Sequence, residues 1–321
     1  MIPNIFTWAT KELSQDAFLC WLAECAKTET KTYNESLHSA AINFIGHCFK
    51  LHGLSLESNQ FFDIEVRKQY YNIDVLVIVN EKYAIIIEDK LNTSQHSEQL
   101  TRYKKLLMEE NFNILIPIYY KPFEQSDMNI VKKSGYKHFT RESMIEILDT
   151  NINSDLTKMY LSRLKEINDS VFSYKELKKD EWDNNSWIGF FSMLSNEVTD
   201  AGWSYVNNPS GGFMGFWWHW YDDANCSQYL QLEESKLCFK IWVEDDKRRS
   251  ELRQLWCNKI IADTKDSEIK IRKPDRFGTG QYMTVAIYDQ DFRVFRNDKI
   301  DYEETLKKVK YAMNVLDNVC G

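Results

Sequence analysis

Two kinds of apolar spacing alternate along the first half of the chain. Residues 73–79 and 83–87 are short, nearly continuous apolar runs rich in Val and Ile, as expected of strands buried in a sheet, and the polar Asn80-Glu81-Lys82 between them predicts a turn. Around this hairpin the spacing becomes helical. Phe18, Trp21, Leu22 and Cys25 recur on one face behind Ser14, an expected N-cap, while Glu12 and Asp16 flank the start, where acids answer the helix dipole. Residues 28–32 predict a polar linker. Asn34 is expected to cap a second helix that buries Leu37, Ala41, Phe44, Ile45, Cys48 and Leu51 and ends at Gly53. A strand over 61–69 should precede the hairpin. After it, a helix starting near 94–96 carries Gln99 and Tyr103 on one face, followed by strands at 114–120 and 136–139, a helix capped by Thr140, and an amphipathic helix over 156–167. Helices, three strands, a helix and a strand in this order predict an α/β sandwich on a mixed sheet.

The second half has a different pattern. A charged segment at 175–185 predicts the boundary between a domain over 1–175 and a second over 180–321. Helices at 187–199, 247–263 and 302–316, the last with Asp301 and Glu304 as a capping box, mix with strands at 203–206, 213–221, 228–232, 237–243, 269–272 and 281–288. This is an α+β pattern, with a turn expected at 207–212. In the aromatic run 216–221, alternation puts Trp217, His219 and Tyr221 on one face and Phe216, Trp218 and Trp220 on the other. One set should form the core. The other is covered by helices, or exposed to stack on bases or bind a protein.

Charge placement within the hairpin changes the picture. Folding symmetrically about Glu81 pairs 76 with 86 and 78 with 84, which sets Asp74 directly across from Glu88. Opposed Cβ atoms in such a pair lie roughly 4.5–5.5 Å apart, and like charges there repel unless a cation intervenes. Lys90 shares the face of Glu88, whereas Asp89 points the other way. Two carboxylates and an ammonium therefore converge. Hard oxygen donors of this kind suit Mg²⁺ or Mn²⁺ with waters and phosphate oxygens, and a water activated beside a lysine suits phosphodiester cleavage.

The ordered set Ile73-Asp74, Glu88-Asp89-Lys90 and Gln99-Leu100-Thr101-Arg102-Tyr103 resembles the PD-(D/E)XK nuclease superfamily, with the Q-x-x-x-Y extension of its RecB-like and Cas4-like branches. The opening segment 6–22 is similar to the start of one bacterial group of these proteins. The resemblance covers roughly residues 5–150, and it departs from the usual first motif by having Asn72-Ile73-Asp74 without a proline. It implies a restriction-endonuclease-like αβββαβ core with an appended α+β domain. By this resemblance Asp74 and Glu88 bind metal, Lys90 orients or activates water, and Gln99 and Tyr103 position Lys90 or contact the DNA backbone. Glu35, opening the helix before the first strand, either adds a metal contact or answers the helix dipole. The function implied is Mg²⁺-dependent hydrolysis of DNA in bacterial defence or DNA processing. The alternative is a catalytically silent nucleic-acid- or protein-binding module.

Composition adds bounds. An apolar content of 43% with 14% aromatics predicts packed cores, and a net charge of −8 argues against indiscriminate coating of nucleic acid while leaving the local basic path 102–105 available. Seven cysteines without a C-x-x-C pair predict free thiols in a reducing, cytoplasmic setting. The first residues lack the charged start and apolar core of a signal peptide, and no apolar run approaches the ~20 residues of a membrane span, so no membrane partner is expected. DNA is the expected partner, with a protein partner or a second copy engaged through the C-terminal domain. Any motor would be another chain, since no phosphate-binding loop of the G-x-x-x-x-G-K type occurs.

Overall fold

A computed structural model describes residues 3–55, 63–91, 97–110, 112, 114–208, 211–265, 267 and 269–321. The expected strand start at 61–62, the helix start near 94–96 and part of the 207–212 turn lie outside the described residues. The chain forms two compact units, 1–169 and 170–321, so the charged 175–185 segment belongs to the second.

The first unit opens with α1 (Glu12–Glu24), α2 (Thr28–Tyr33) and α3 (Glu35–Leu51). Then come β1 (Ile64–Tyr70), β2 (Ile73–Val79), β3 (Tyr83–Asp89), α4 (Ser97–Glu109), β4 (Ile114–Lys121), α5 (Asn129–Lys133), β5 (Lys137–Thr140), α6 (Arg141–Leu148) and α7 (Asp155–Phe172), the last running across the division. The sheet order is β1-β2-β3-β4-β5; the first three strands are antiparallel, and β4 and β5 join in parallel. It is a mixed sheet covered on both faces, which is why β2 and β3 read as continuous apolar runs. Alternation sorts their side chains: Val75, Val77, Val79, Ile85 and Ile87 join the core under α1, α3, α6 and α7, while Leu76, Ile78, Ala84 and Ile86 join Leu100, Tyr103 and Leu107 of α4.

Two helical expectations need correction. Ser14 lies inside α1, whose N-cap is Lys11 without a side-chain hydrogen bond, because the helix begins at Glu12. Residues 28–33 are helical, not a linker. The Asn34 and Thr140 caps form as expected, accepting from Leu37 N and Ser143 N at 3.1 and 3.2 Å.

The second unit comprises α8 (Asn184–Leu194), β6 (Gly202–Val206), β7 (Phe213–Asp222), β8 (Ser227–Glu233), β9 (Lys236–Trp242), α9 (Arg249–Asp263), β10 (Ile271–Arg272), β11 (Tyr282–Tyr288), β12 (Phe295–Arg296), β13 (Lys299–Ile300) and α10 (Tyr302–Cys320). Its six-stranded antiparallel sheet, ordered β10-β11-β9-β8-β7-β6, packs Phe216, Trp218, Leu230, Phe239 and Val285 with side chains of α8, α9 and α10. The strict alternation expected in 216–221 is broken. His219 adopts φ 61°, and the β7–β8 register shifts between Trp218 and Tyr221, a β-bulge that re-aims the side chains beyond it. Phe216 and Trp218 are fully buried, whereas Trp220 is 41% exposed and stacks on Tyr229 with centroids 4.0 Å apart. His219 and Tyr221 instead both reach Asp317 of α10 at 2.6 Å. No helix among the described residues is long and apolar enough to cross a membrane.

Candidate active site

The β2–β3 register, with Leu76 opposite Ile86 and Ile78 opposite Ala84, brings Asp74 and Glu88 to the same end of the hairpin. Both therefore lie on the face of the sheet that carries α4. Lys90, one residue past β3, is tied by its N–H to Tyr120 O at 3.0 Å, which prolongs the parallel pairing with β4. Its Nζ stands 2.6 Å from Glu88 Oε1 and 3.6 Å from Asp74 Oδ2, and it donates to Asp89 O at 2.9 Å. An ammonium thus lies between the two carboxylates.

Burial sets the electrostatics. Glu88 is 0% exposed and Lys90 8%. Desolvation, with the nearby Asp74 charge adding to it and Lys90 opposing it, pushes the Glu88 carboxyl from its usual 4.5 up to about 7. For Lys90 burial pulls the other way, but Glu88 and Asp74 together outweigh it and the ammonium is held above its ordinary value. The Lys90 ammonium pairs with Oε1 alone of the two Glu88 oxygens. Among the described residues Glu88 Oε2 has no hydrogen-bond partner. Lys121, which donates to Leu91 O at 2.7 Å, is lowered by burial to about 8.

Gln99 and Tyr103 form a chain of their own. Gln99 Nε2 donates to the Tyr103 hydroxyl at 2.8 Å, and that hydroxyl donates to Asn72 O at 2.5 Å. Their contact is with the β1–β2 turn, two residues ahead of Asp74. Tyr71 and Asn72 there have φ of 52° and 67°, a left-handed pair suited to a tight hairpin. Tyr103→Phe should remove both of these half-buried hydrogen bonds and lower stability by about 1–2 kcal/mol, measured by urea unfolding. An unchanged midpoint would mean that the turn does not depend on this hydroxyl. Glu35 is exposed in the first turn of α3; burial lowers the His38 pKa, with the Glu35 charge opposing it, and Glu35 is not brought to the carboxylate cluster.

Four further residues reach the cluster. Glu12 Oε1 accepts from Leu91 N at 3.1 Å, and its charge acts on Glu88, Lys90 and Lys121. Gln15 Nε2 donates to Asp89 Oδ1. Asp16 is buried, and desolvation together with Asp74 pushes it from 3.8 up to about 6. Gln69, at φ 54°, offers Nε2 to Asp16 Oδ2 and to Asp74 Oδ1, both at 3.4 Å. Asp89 points to the opposite face, as alternation requires, and burial holds its carboxyl well above the ordinary range despite the Gln15 hydrogen bond. The available sequence signal was the spacing of Glu12, Gln15 and Asp16 on one face of an otherwise apolar helix, which the helix-dipole reading explains without invoking a site.

Among the described residues no group of three or more His, Cys, Asp or Glu is arranged to hold a metal ion. The donors present fit a narrower role. Asp74 and Glu88, the latter with Oε1 paired to Lys90 and Oε2 without a hydrogen-bond partner among the described residues, make the two-carboxylate set that suits a hard divalent ion keeping its waters. In comparisons with known proteins, the chain matches no family model, no curated protein and no solved structure.

Proposed function

We propose that the first unit is a metal-dependent nuclease that hydrolyses DNA phosphodiester bonds, on the restriction-endonuclease-like core that its resemblance to PD-(D/E)XK proteins implies. The observation that carries this reading is the Lys90 ammonium set between the Asp74 and Glu88 carboxylates where an antiparallel hairpin ends. A stable fold has no need of such a buried charge cluster, and perturbed groups of this kind gather where chemistry is done.

In this reading Asp74 and Glu88 hold Mg²⁺ or Mn²⁺, which when bound supplies positive charge to the scissile phosphate. Lys90 would orient or activate the attacking water. Arg102 and Lys105, exposed on α4, meet the flanking phosphates. The second unit recognises a substrate feature or a protein partner, and such direction suits an enzyme of bacterial defence or DNA processing.

The test incubates purified protein with plasmid, linear and single-stranded DNA in Mg²⁺, Mn²⁺ or EDTA. Metal-dependent cleavage, lost in Asp74→Asn with folding intact, is expected. A second reading, a nucleic-acid-binding module without turnover, is favoured by the closed Glu88–Lys90 ion pair. DNA binding with no cleavage under any condition would establish it instead.

A further inference from the structure

Asp89 stands between two groups assigned to the chemistry, yet its own side chain points away from them. Its peptide groups do not. The Asp89 N–H donates to Asp74 Oδ2 at 3.0 Å, and the Asp89 C=O accepts from Lys90 Nζ at 2.9 Å. One residue's backbone therefore touches both the carboxylate of the neighbouring strand and the ammonium. On the opposite face its carboxylate enters a buried chain of hydrogen bonds that draws on three other elements. Gln15 of α1 donates to Asp89 Oδ1, the Tyr160 hydroxyl of α7 donates to Gln15 Oε1 at 3.0 Å, and Tyr160 shares a 2.8 Å hydrogen bond with the Tyr120 hydroxyl of β4. Tyr120 is in turn the β4 residue paired in register with Asp89, so the chain closes on itself. Phe18 stacks on the Tyr160 ring with centroids 3.9 Å apart and holds it in place.

We infer that Asp89 places Asp74 and Lys90 through its own peptide groups, and that Gln15 and Tyr160 are the positioning residues that hold Asp89. The physical reason is that the β2–β3 ladder ends at Val75 and Ile87, so on that side the backbone at Asp89 has lost its strand partner and is less constrained. A main-chain shift of a fraction of an ångström at Asp89 would move both contacts at once, and misplacement on that scale is costly to a reaction that depends on alignment. A carboxylate anchored on the far face fixes the main chain without occupying the substrate side. Gln15 suits the position because its amide donates to Asp89 and accepts from Tyr160 at the same time. The meaning for catalysis rests on the nuclease reading above; the structural linkage does not.

The experiment compares wild type, Gln15→Met and the milder Tyr160→Phe, which keeps the ring. In EDTA, amide hydrogen exchange by NMR should show the Asp89 N–H, whose acceptor is the Asp74 carboxylate, exchanging about tenfold faster in Gln15→Met while Ile85, Ile86 and Ile87 keep wild-type protection. Tyr160→Phe should shift the same amide in the same direction by less. With Mg²⁺ and DNA, kcat should fall about tenfold or more with KM unchanged, since the substrate-facing surface is untouched. Unchanged exchange at Asp89 in both variants, or equal acceleration along all of β3, would overturn the inference. Should Gln15→Met fail to fold, Tyr160→Phe decides alone. A wild-type protein that cleaves nothing removes the nuclease reading, and the exchange comparison still decides whether Gln15 holds Asp89.

Discussion

Lys90→Met is expected to give a folded protein whose DNA cleavage is about 10²–10⁴-fold slower, the range typical for loss of a positioned proton-handling group. The same change should cost on the order of 3 kcal/mol of stability in EDTA at pH 7.5, because it leaves two carboxylates facing each other with their shared cation gone. The side chain that is lost sits 2.6 Å from Glu88 and 3.6 Å from Asp74, and Met fills nearly the same space without the charge. Two signatures separate this from a packing defect. At pH 5 the Glu88 carboxyl, already pushed up to about 7 in the wild type, is protonated, so the difference in stability should shrink. Added Mg²⁺ should raise the unfolding midpoint of the variant more than that of the wild type, since a bound cation replaces the missing charge, while cleavage stays lost. Urea unfolding at both pH values, with and without Mg²⁺, reads all of this. Cleavage within about threefold of wild type would end the assignment of Lys90 to the chemistry.

The hairpin that makes this geometry was legible because strand pairing is governed by period and turn length, both local. The apolar runs fix which strands are buried, and the three polar residues between Val79 and Tyr83 fix the register. From those two facts the meeting of Asp74, Glu88 and Lys90 follows. The supports of the cluster were not legible, for an equally physical reason. Gln15 meets Asp89 across 74 residues of sequence, and Glu12 meets Leu91 across 79. Nothing in the spacing of α1 states which strand its polar residues will meet. Acids at the start of a helix have an adequate local explanation, so the reading stops before it reaches the site. Gln69 is harder still, because its contact depends on a left-handed backbone that no residue type at that position announces.

In the second unit the same limit takes another form. The strands of the aromatic stretch were readable, and so were the shared faces of Phe216 with Trp218 and of His219 with Tyr221, but not the place of Trp220, since a single left-handed residue at His219 inserts an extra position and sends Trp220 away from the core. Period-two arguments hold only until the first bulge. The result matters for any use of that sheet face, because Trp220 and Tyr229 form a stacked pair there while Trp218 lies in the core with Phe216.

Glu88→Gln should make the metal-free protein more stable at neutral pH. The folded-state pKa of Glu88 is raised, from 4.5 to about 7, so the folded protein binds more protons than the unfolded chain across that window. The stability associated with this group is therefore fully present below about 4.5, declines as pH rises, and is gone once pH passes about 7. At 1.36 kcal/mol for each unit of pKa, the loss amounts to about 3 kcal/mol. A glutamine stays neutral throughout and should escape it. In EDTA the two proteins should be nearly equal at pH 4.5, with the variant ahead by about 3 kcal/mol at pH 7.5, measured by urea unfolding. Asp16, whose carboxyl is likewise raised by burial, titrates in both proteins and largely cancels in the difference. Mg²⁺ should reverse the order, stabilising the wild type and doing little for the variant. A variant less stable than wild type at pH 7.5 would mean that the carboxylate is well satisfied by Lys90 and leaves no demand for a further cation. The expected result has the opposite implication: an acid kept where an amide would fold better answers to what it binds, since a fold left to stability alone would not hold it there.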